Sequence, residues 1–216
     1  MLAVIACLAG IFILLLITEY LYKRKILKGE YHRKFLHITA GSFIAFWPWL
    51  VSWRTLQVLA ILILLVILAN RYVSFFNYHG RRLGRSTYGD IFLAVAILLC
   101  SFFAHDKVFF ALAILEVALA DGLAAVVGIS YGKQWGYKVF GYRKTVIGSM
   151  LFWIVSASIL PAALLAAHNS FSLHSYYFLL LLLPPALTIL ENLAVFGVDN
   201  LVIPLATLII LRLVQS

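Results

Sequence analysis

The sequence predicts an all-α fold, a polytopic bundle of about eight transmembrane helices forming a single integral-membrane domain over residues 1–216. Three observations predict it. The chain is 64% hydrophobic and only 12% charged, with a mean hydropathy of +1.04; a soluble domain of this length is nearer half apolar. It offers several apolar runs near the length of about 20 residues that a helix needs to cross the hydrocarbon layer. Its basic residues gather in alternate loops between those runs, the bias that sets orientation in a bilayer.

Taken in order, the apolar runs cover roughly 2–22, 35–51, 55–73, 90–104, 107–130, 146–167, 175–196 and 200–214. The first has no basic residue before it and is followed by Lys23, Arg24 and Lys25, as expected of an uncleaved anchor. The second and fourth are short for a full crossing, which suits a small tilt or a start deep in the interface. In the fifth, Ala120, Ala124, Gly128 and Gly132 recur every four residues. Such a stripe lets a neighbouring helix come close. The seventh contains Pro184 and Pro185, expected to break the helix and free backbone carbonyls. Asp199 and Asn200 open the eighth and are suited to cap it. Cys7 and Cys100 both lie in apolar runs and read as small buried hydrophobes, not as a disulfide or metal pair.

A net charge of +9 raises the question of nucleic acid, and the placement of the charges answers it. Fourteen of the 17 basic residues fall in the loops after the first, third and fifth runs; Arg54, Lys107 and Arg212 remain for the other face. This is a topology signal. It predicts both termini on the non-cytoplasmic side, the charged loops in the cytoplasm, and no nucleic-acid partner.

Charged groups inside a membrane domain are costly and mark function. Glu116 lies near the middle of the fifth run, suited to pair with a buried base or hydroxyl, and Asp121 follows near its inner end. In a regular helix, a separation of five residues would turn the two carboxylates about 140° apart. Asp121 then opens the stretch DGLAAVVGISYGKQWGYKVFGYRKTVIGS, which leads through a connecting loop with Lys133, Lys138, Arg143 and Lys144 into the next apolar run. Glu191, Asn192, Asp199 and Asn200 fall at the same inner boundary, as do Arg33, Lys34 and His37, and the group Arg81, Arg82, Arg85, Ser86, Thr87 and Asp90. Together they predict one inward-facing basin. Its acids would hold a divalent cation, Mg²⁺, whose hard character suits carboxylate and phosphate oxygens. Its lysines and arginines would hold phosphates. Glycines at 128, 132, 136, 141 and 148 would let the backbone approach a nucleotide. Neither a GxxxxGK[ST] loop nor a G-x-G-x-x-G fingerprint occurs. A proton-coupled transporter is the competing class, but no pair of corresponding broken helices supports it.

The order RKxxH (Arg33, Lys34, His37), YGD (Tyr88 to Asp90), DGLAAVVGxxxGK (Asp121 to Lys133), KTxxGS (Lys144 to Ser149) and E…GxDN (Glu191 to Asn200) resembles the CTP-dependent lipid alcohol kinases. These include phytol, dolichol and CTP-dependent diacylglycerol kinases, with CDP-lipid synthases as more distant relatives. The resemblance runs from about Arg33 to Pro204 and is most specific over Asp121–Ser149. It implies Mg²⁺-dependent transfer of the γ-phosphoryl of CTP to the hydroxyl of a long-chain isoprenoid alcohol (a polyprenol, dolichol or phytol) in the bilayer, at the cytoplasmic face. On that reading Asp121, Lys144 and His37 are catalytic. Arg33, Lys34, Gly128, Gly132, Lys133, Arg143, Thr145, Gly148, Ser149 and Asn200 bind the nucleotide and its phosphates. Asp121, Glu191 and Asp199 hold the metal. Two departures stand out: Ala120 occupies a position where many relatives have glycine, and the loop from Lys133 to Lys144 is longer than in several members. The DRxDS-like run of the CDP-lipid synthases is absent.

Overall fold

A computed structural model describes residues 1–73, 88–132, 134–167 and 172–215. Among them each of the eight apolar runs forms a helix. The helices are α1 (Leu2–Lys23), α2 (Glu30–Ala45) continued by the single turn α3 (Trp47–Leu50), α4 (Trp53–Val73) and α5 (Gly89–Phe103). A long central helix follows: α6 (Lys107–Leu115), a π-helical segment (Glu116–Asp121) and α7 (Gly122–Tyr131). After two short strands come α8 (Val146–Ala166), α9 (Leu173–Leu193) and α10 (Asp199–Gln215).

Five of these are long and apolar enough to cross a membrane: α1, α4, the helix Lys107–Tyr131, α8 and α9. α2, α5 and α10 have 16, 15 and 17 residues, so the eight expected crossings reduce to five of full length and three shorter helices. The reason lies at their first turns. α2 begins with EYHRK, α5 with Gly89 and Asp90, and α10 with Asp199 and Asn200. These polar first turns shorten the apolar part of each helix.

The central helix is the most enclosed of the five long helices, and most of it is buried. α2 packs along one side of it. Gly41 and Gly122 allow this: a Cβ at Gly122 would stand 2.3 Å from Ile38 Cγ1, and one at Gly41 2.7 Å from Ala118 Cβ. α8 packs along another side, where Thr145 fills the space against Gly128, Gly132 and Gly148. The small-residue stripe therefore serves helix packing. Trp47, Phe110, Phe152 and Leu56 fill the core, and Trp53 meets Phe110 edge-on at 5.8 Å between ring centroids.

Three sequence expectations are corrected here. First, α9 runs unbroken through Pro184 and Pro185. Proline removes one donor and strains one turn, yet the helix continues, and the Thr188 hydroxyl bonds back to the Pro184 carbonyl at 2.7 Å. Second, the segment from Glu116 to Asp121 is π-helical. Its i→i+5 bonding makes the turn wider, so Asp121 is not carried the 140° around the axis that a regular helix would impose. Third, the connector is a β-hairpin. β1 (Gly136–Val139) pairs antiparallel with β2 (Tyr142–Thr145). Phe140 and Gly141 form its two-residue turn with φ of +48° and +83°, the sign pattern of a type I′ turn that matches strand twist.

Candidate active site

The polar groups converge where α2, α5 and α10 begin and α9 ends. On α2, Lys34 and His37 are three residues apart and share a face. That face meets the π segment. Lys34 Nζ donates to Asp121 Oδ2 at 2.6 Å, with the two side chains 8% and 5% exposed. His37 Nε2 lies 3.1 Å from the Val117 carbonyl oxygen and 3.7 Å from Asp121 Oδ2. Both neighbours are acceptors, so Nε2 carries the proton and donates to Val117. Among the described residues Asp121 Oδ1 takes no hydrogen bond.

A second pair faces the first. Lys144, on β2, donates to Glu191 Oε1 at 2.5 Å and to the Glu191 carbonyl at 2.7 Å. Glu191 lies in the last turn of α9, whose carbonyls lack helical partners and favour a cation. The two pairs form one electrostatic cluster: Asp121, Lys34 and Lys144 all act on Glu191 and on Asp199. Asp199 Oδ1 also accepts from the Asn200 backbone N–H at 2.9 Å, the local bond of a helix start.

Asn200 closes the floor. Its Nδ2 donates to the Gly89 carbonyl at 2.9 Å, while Oδ1 is buried and has no partner among the described residues. Arg33 lies at the rim. Its Nε and Nη2 grip Glu30 Oε2 at 3.0 and 2.7 Å, and its Nη1 approaches Gly89. Arg33 therefore turns to an acid one turn before it and not towards Asp121. On the other side, Ser149 Oγ donates to Asn192 Oδ1 at 3.0 Å and meets the Tyr137 hydroxyl at 2.7 Å.

The structure thus gathers Lys34, His37, Asp121, Lys144, Glu191, Asp199 and Asn200, with Ser149 alongside. It assigns Thr145, Gly128, Gly132 and Gly148 to packing. Thr145 caps α8 by accepting from the Gly148 N–H at 3.1 Å, and the room beside the three glycines is taken up by Thr145 itself. Arg143 projects from the opposite face of the hairpin, across from Lys138 and beside Gly136. Lys133 and the group Arg81, Arg82, Arg85, Ser86 and Thr87 lie outside the described residues. Glu116 finds the hydroxyl expected for it: Ser156 Oγ donates to its Oε1 at 3.0 Å. Sequence reasoning missed Tyr137 as a site residue. The available signal was alternation on either side of Phe140-Gly141, which sets Tyr137 opposite Lys144.

The three acids expected to share a metal are not assembled for that purpose. Among the described residues no group of three or more His, Cys, Asp or Glu side chains could hold an ion, and Glu191 is committed to Lys144. The donor set does fit Mg²⁺ of another kind, one held by one or two carboxylates and completed by phosphates and water. Asp121 and Asp199 would be those carboxylates.

A helical membrane protein with lysine–carboxylate pairs buried at one end of its bundle is the class that fold and site define. The chain is similar to phytol kinase of Synechocystis sp. (strain ATCC 27184 / PCC 6803 / Kazusa), at 31% identity over 206 aligned residues covering 90% of this chain and 84% of that protein. It belongs to the phytol kinase family. No protein-family profile matches it, and no solved structure does.

Proposed function

We propose that this protein is a lipid alcohol kinase that transfers the γ-phosphoryl of CTP, with Mg²⁺, to the hydroxyl of a long-chain isoprenoid alcohol of the phytol class, at the cytoplasmic face. The observation that carries the reading is the cluster of Lys34–Asp121 and Lys144–Glu191, whose two acids lie on helices of membrane-crossing character, in a chain 31% identical to a phytol kinase. Phosphoryl transfer asks a protein for positioning and charge neutralisation more than for covalent chemistry, and two ammoniums beside carboxylates supply both.

In the reaction the alcohol oxygen attacks the γ-phosphorus. The bond to the β–γ bridging oxygen breaks, CDP leaves, and the alcohol proton passes to a carboxylate of the cluster. Lys34 and Lys144 exchange part of their hold on Asp121 and Glu191 for phosphate oxygens. Asp121 and Asp199 would hold Mg²⁺, which when bound neutralises phosphate charge. Asn200 Oδ1, buried and without a partner among the described residues, is an acceptor in reserve for the nucleotide. The apolar helices open the route for the acceptor from the bilayer, so the alcohol reaches the site without crossing water.

The test is a panel of phytol, polyprenols, dolichol and diacylglycerol with γ-labelled CTP, and with ATP, in membranes containing the protein. Label entering phytol from γ-labelled CTP with release of CDP is the expected result. Label entering lipid only from the α position, with pyrophosphate released, would replace kinase by cytidylyl transfer. Transfer from ATP alone would overturn the choice of nucleotide.

A further inference from the structure

Lys144 shares its face of the hairpin with Tyr137. The two are cross-strand partners, so their side chains leave the same face. On α9 they meet consecutive residues: Lys144 meets Glu191 and Tyr137 meets Asn192. The Tyr137 hydroxyl donates to Asn192 Oδ1, and Ser149 Oγ reaches the same oxygen at 3.0 Å. Tyr137 and Ser149 also touch each other at 2.7 Å, so two hydroxyl protons serve three close contacts. Asn192 is fixed in turn, because its Nδ2 donates to the Thr188 carbonyl at 2.8 Å. One amide oxygen therefore ties β1, the first turn of α8 and the last turn of α9 together.

The hairpin has need of such a tie. Its strands are four residues each, and an isolated two-stranded hairpin is marginal in water. Lysine carries its charge on a flexible four-carbon stem, so the position of the Lys144 ammonium is only as well defined as the strand beneath it. Tyr142 adds an aromatic contact with Phe196, 4.8 Å between centroids, but this lies at the turn end. Tyr137 is the anchor level with Lys144.

We propose that Tyr137, held by Asn192 and Ser149, is a positioning residue that fixes where Lys144 delivers its ammonium to the donor phosphates. The proposal rests on the kinase reading of the site. Tyr137→Phe removes one hydroxyl and keeps the ring. In the full-length protein it should lower kcat/KM for the nucleotide by about 10- to 100-fold, the scale of a displacement near 1 Å, and leave KM for the lipid alcohol unchanged. Asn192→Ala should do the same, because it removes the oxygen that both hydroxyls reach. Because Tyr137 acts through Lys144, adding Tyr137→Phe to Lys144→Met should cost nothing further, whereas losses that multiply would overturn the proposal. Hydrogen exchange of the Gly136–Thr145 amides without nucleotide gives a readout free of catalysis. Faster exchange in Tyr137→Phe is expected, and unchanged exchange overturns the latch whatever the wild type catalyses. An inactive wild type whose Tyr137→Phe variant exchanges faster would overturn the kinase reading and leave the latch standing.

Discussion

Replacing Lys34 by methionine tests the reasoning behind the site most directly. The substitution removes an ammonium 2.6 Å from Asp121 and leaves that carboxylate 5% exposed, with His37 Nε2 3.7 Å from it and Lys144 acting on it from across the cluster. Removing one member of a buried pair costs about 3–5 kcal/mol, because the surviving charge has lost both water and partner. At about 2–4 °C per kcal/mol for a domain of this size, Lys34→Met should lower Tm by roughly 6–20 °C. Unfolding can be followed in mild detergent through the five tryptophans. The companion variant, Lys34→Met with Asp121→Leu, removes both charges and fills the volume with apolar atoms, a change that is often neutral or stabilising. Its Tm should return to within about 4 °C of wild type, with activity abolished. A single variant that melts like wild type, or a double variant no more stable than the single, would show that the pair is not buried in the way argued here.

Other expectations follow from packing, from hydrogen bonding and from the metal. Gly122→Ala puts a Cβ 2.3 Å from Ile38 Cγ1 and should destabilise by about 1–3 kcal/mol, a loss that Ile38→Ala in the same chain should partly relieve in thermal melts. Ser156→Ala removes the hydroxyl that donates to Glu116 and should cost about 1–3 kcal/mol. Glu116→Gln keeps an acceptor for Ser156 and should melt within about 1 kcal/mol of wild type and retain phosphoryl transfer, since Glu116 is no part of the Asp121 cluster. Chelation of divalent cations should abolish transfer and added Mg²⁺ should restore it; full activity under chelation would remove the metal from the proposed reaction.

The helices were legible because membrane burial writes itself into composition: an apolar run long enough to cross leaves little else to predict. What could not be read was anything depending on which backbone bonds form inside a run. EVALAD gives no sign that its turn is widened, because the apolar pattern is the same for α- and π-helical bonding. The prolines of α9 were legible as residues but not in consequence, since the continuity of a helix depends on its neighbours. Asp121 and Glu191 were recognisable as costly charges in a membrane domain, and Lys34 and Lys144 as basic residues of the inner face. Their pairing was not, because it joins positions 87 and 47 residues apart. Gly128 and Gly132 carried two readings, helix packing and approach to a nucleotide, because a glycine close to a ligand and a glycine close to Thr145 look alike in sequence, and GKQWGYKVFGYRKTVIGS reads as a loop until the positive φ of Phe140 and Gly141 turns it into a hairpin.

The charge balance of the site argues for the species it would receive. At full ionisation, Lys34 and Lys144 face Asp121, Glu191 and Asp199, so the described cluster carries one more carboxylate than ammonium. A bare nucleoside triphosphate would add charge of the sign already in excess, in surroundings where water screens poorly. The same nucleotide bound to a divalent cation brings two positive charges with it, and two of the three carboxylates, Asp121 and Asp199, are not fully occupied by lysine contacts as Glu191 is. Lys34 would then have a phosphate oxygen to gain as Asp121 turned to the metal. The pairing keeps two cations and their counter-charges buried together, and the same logic makes Lys34 and Lys144 costly to remove singly and inexpensive to remove with their partners.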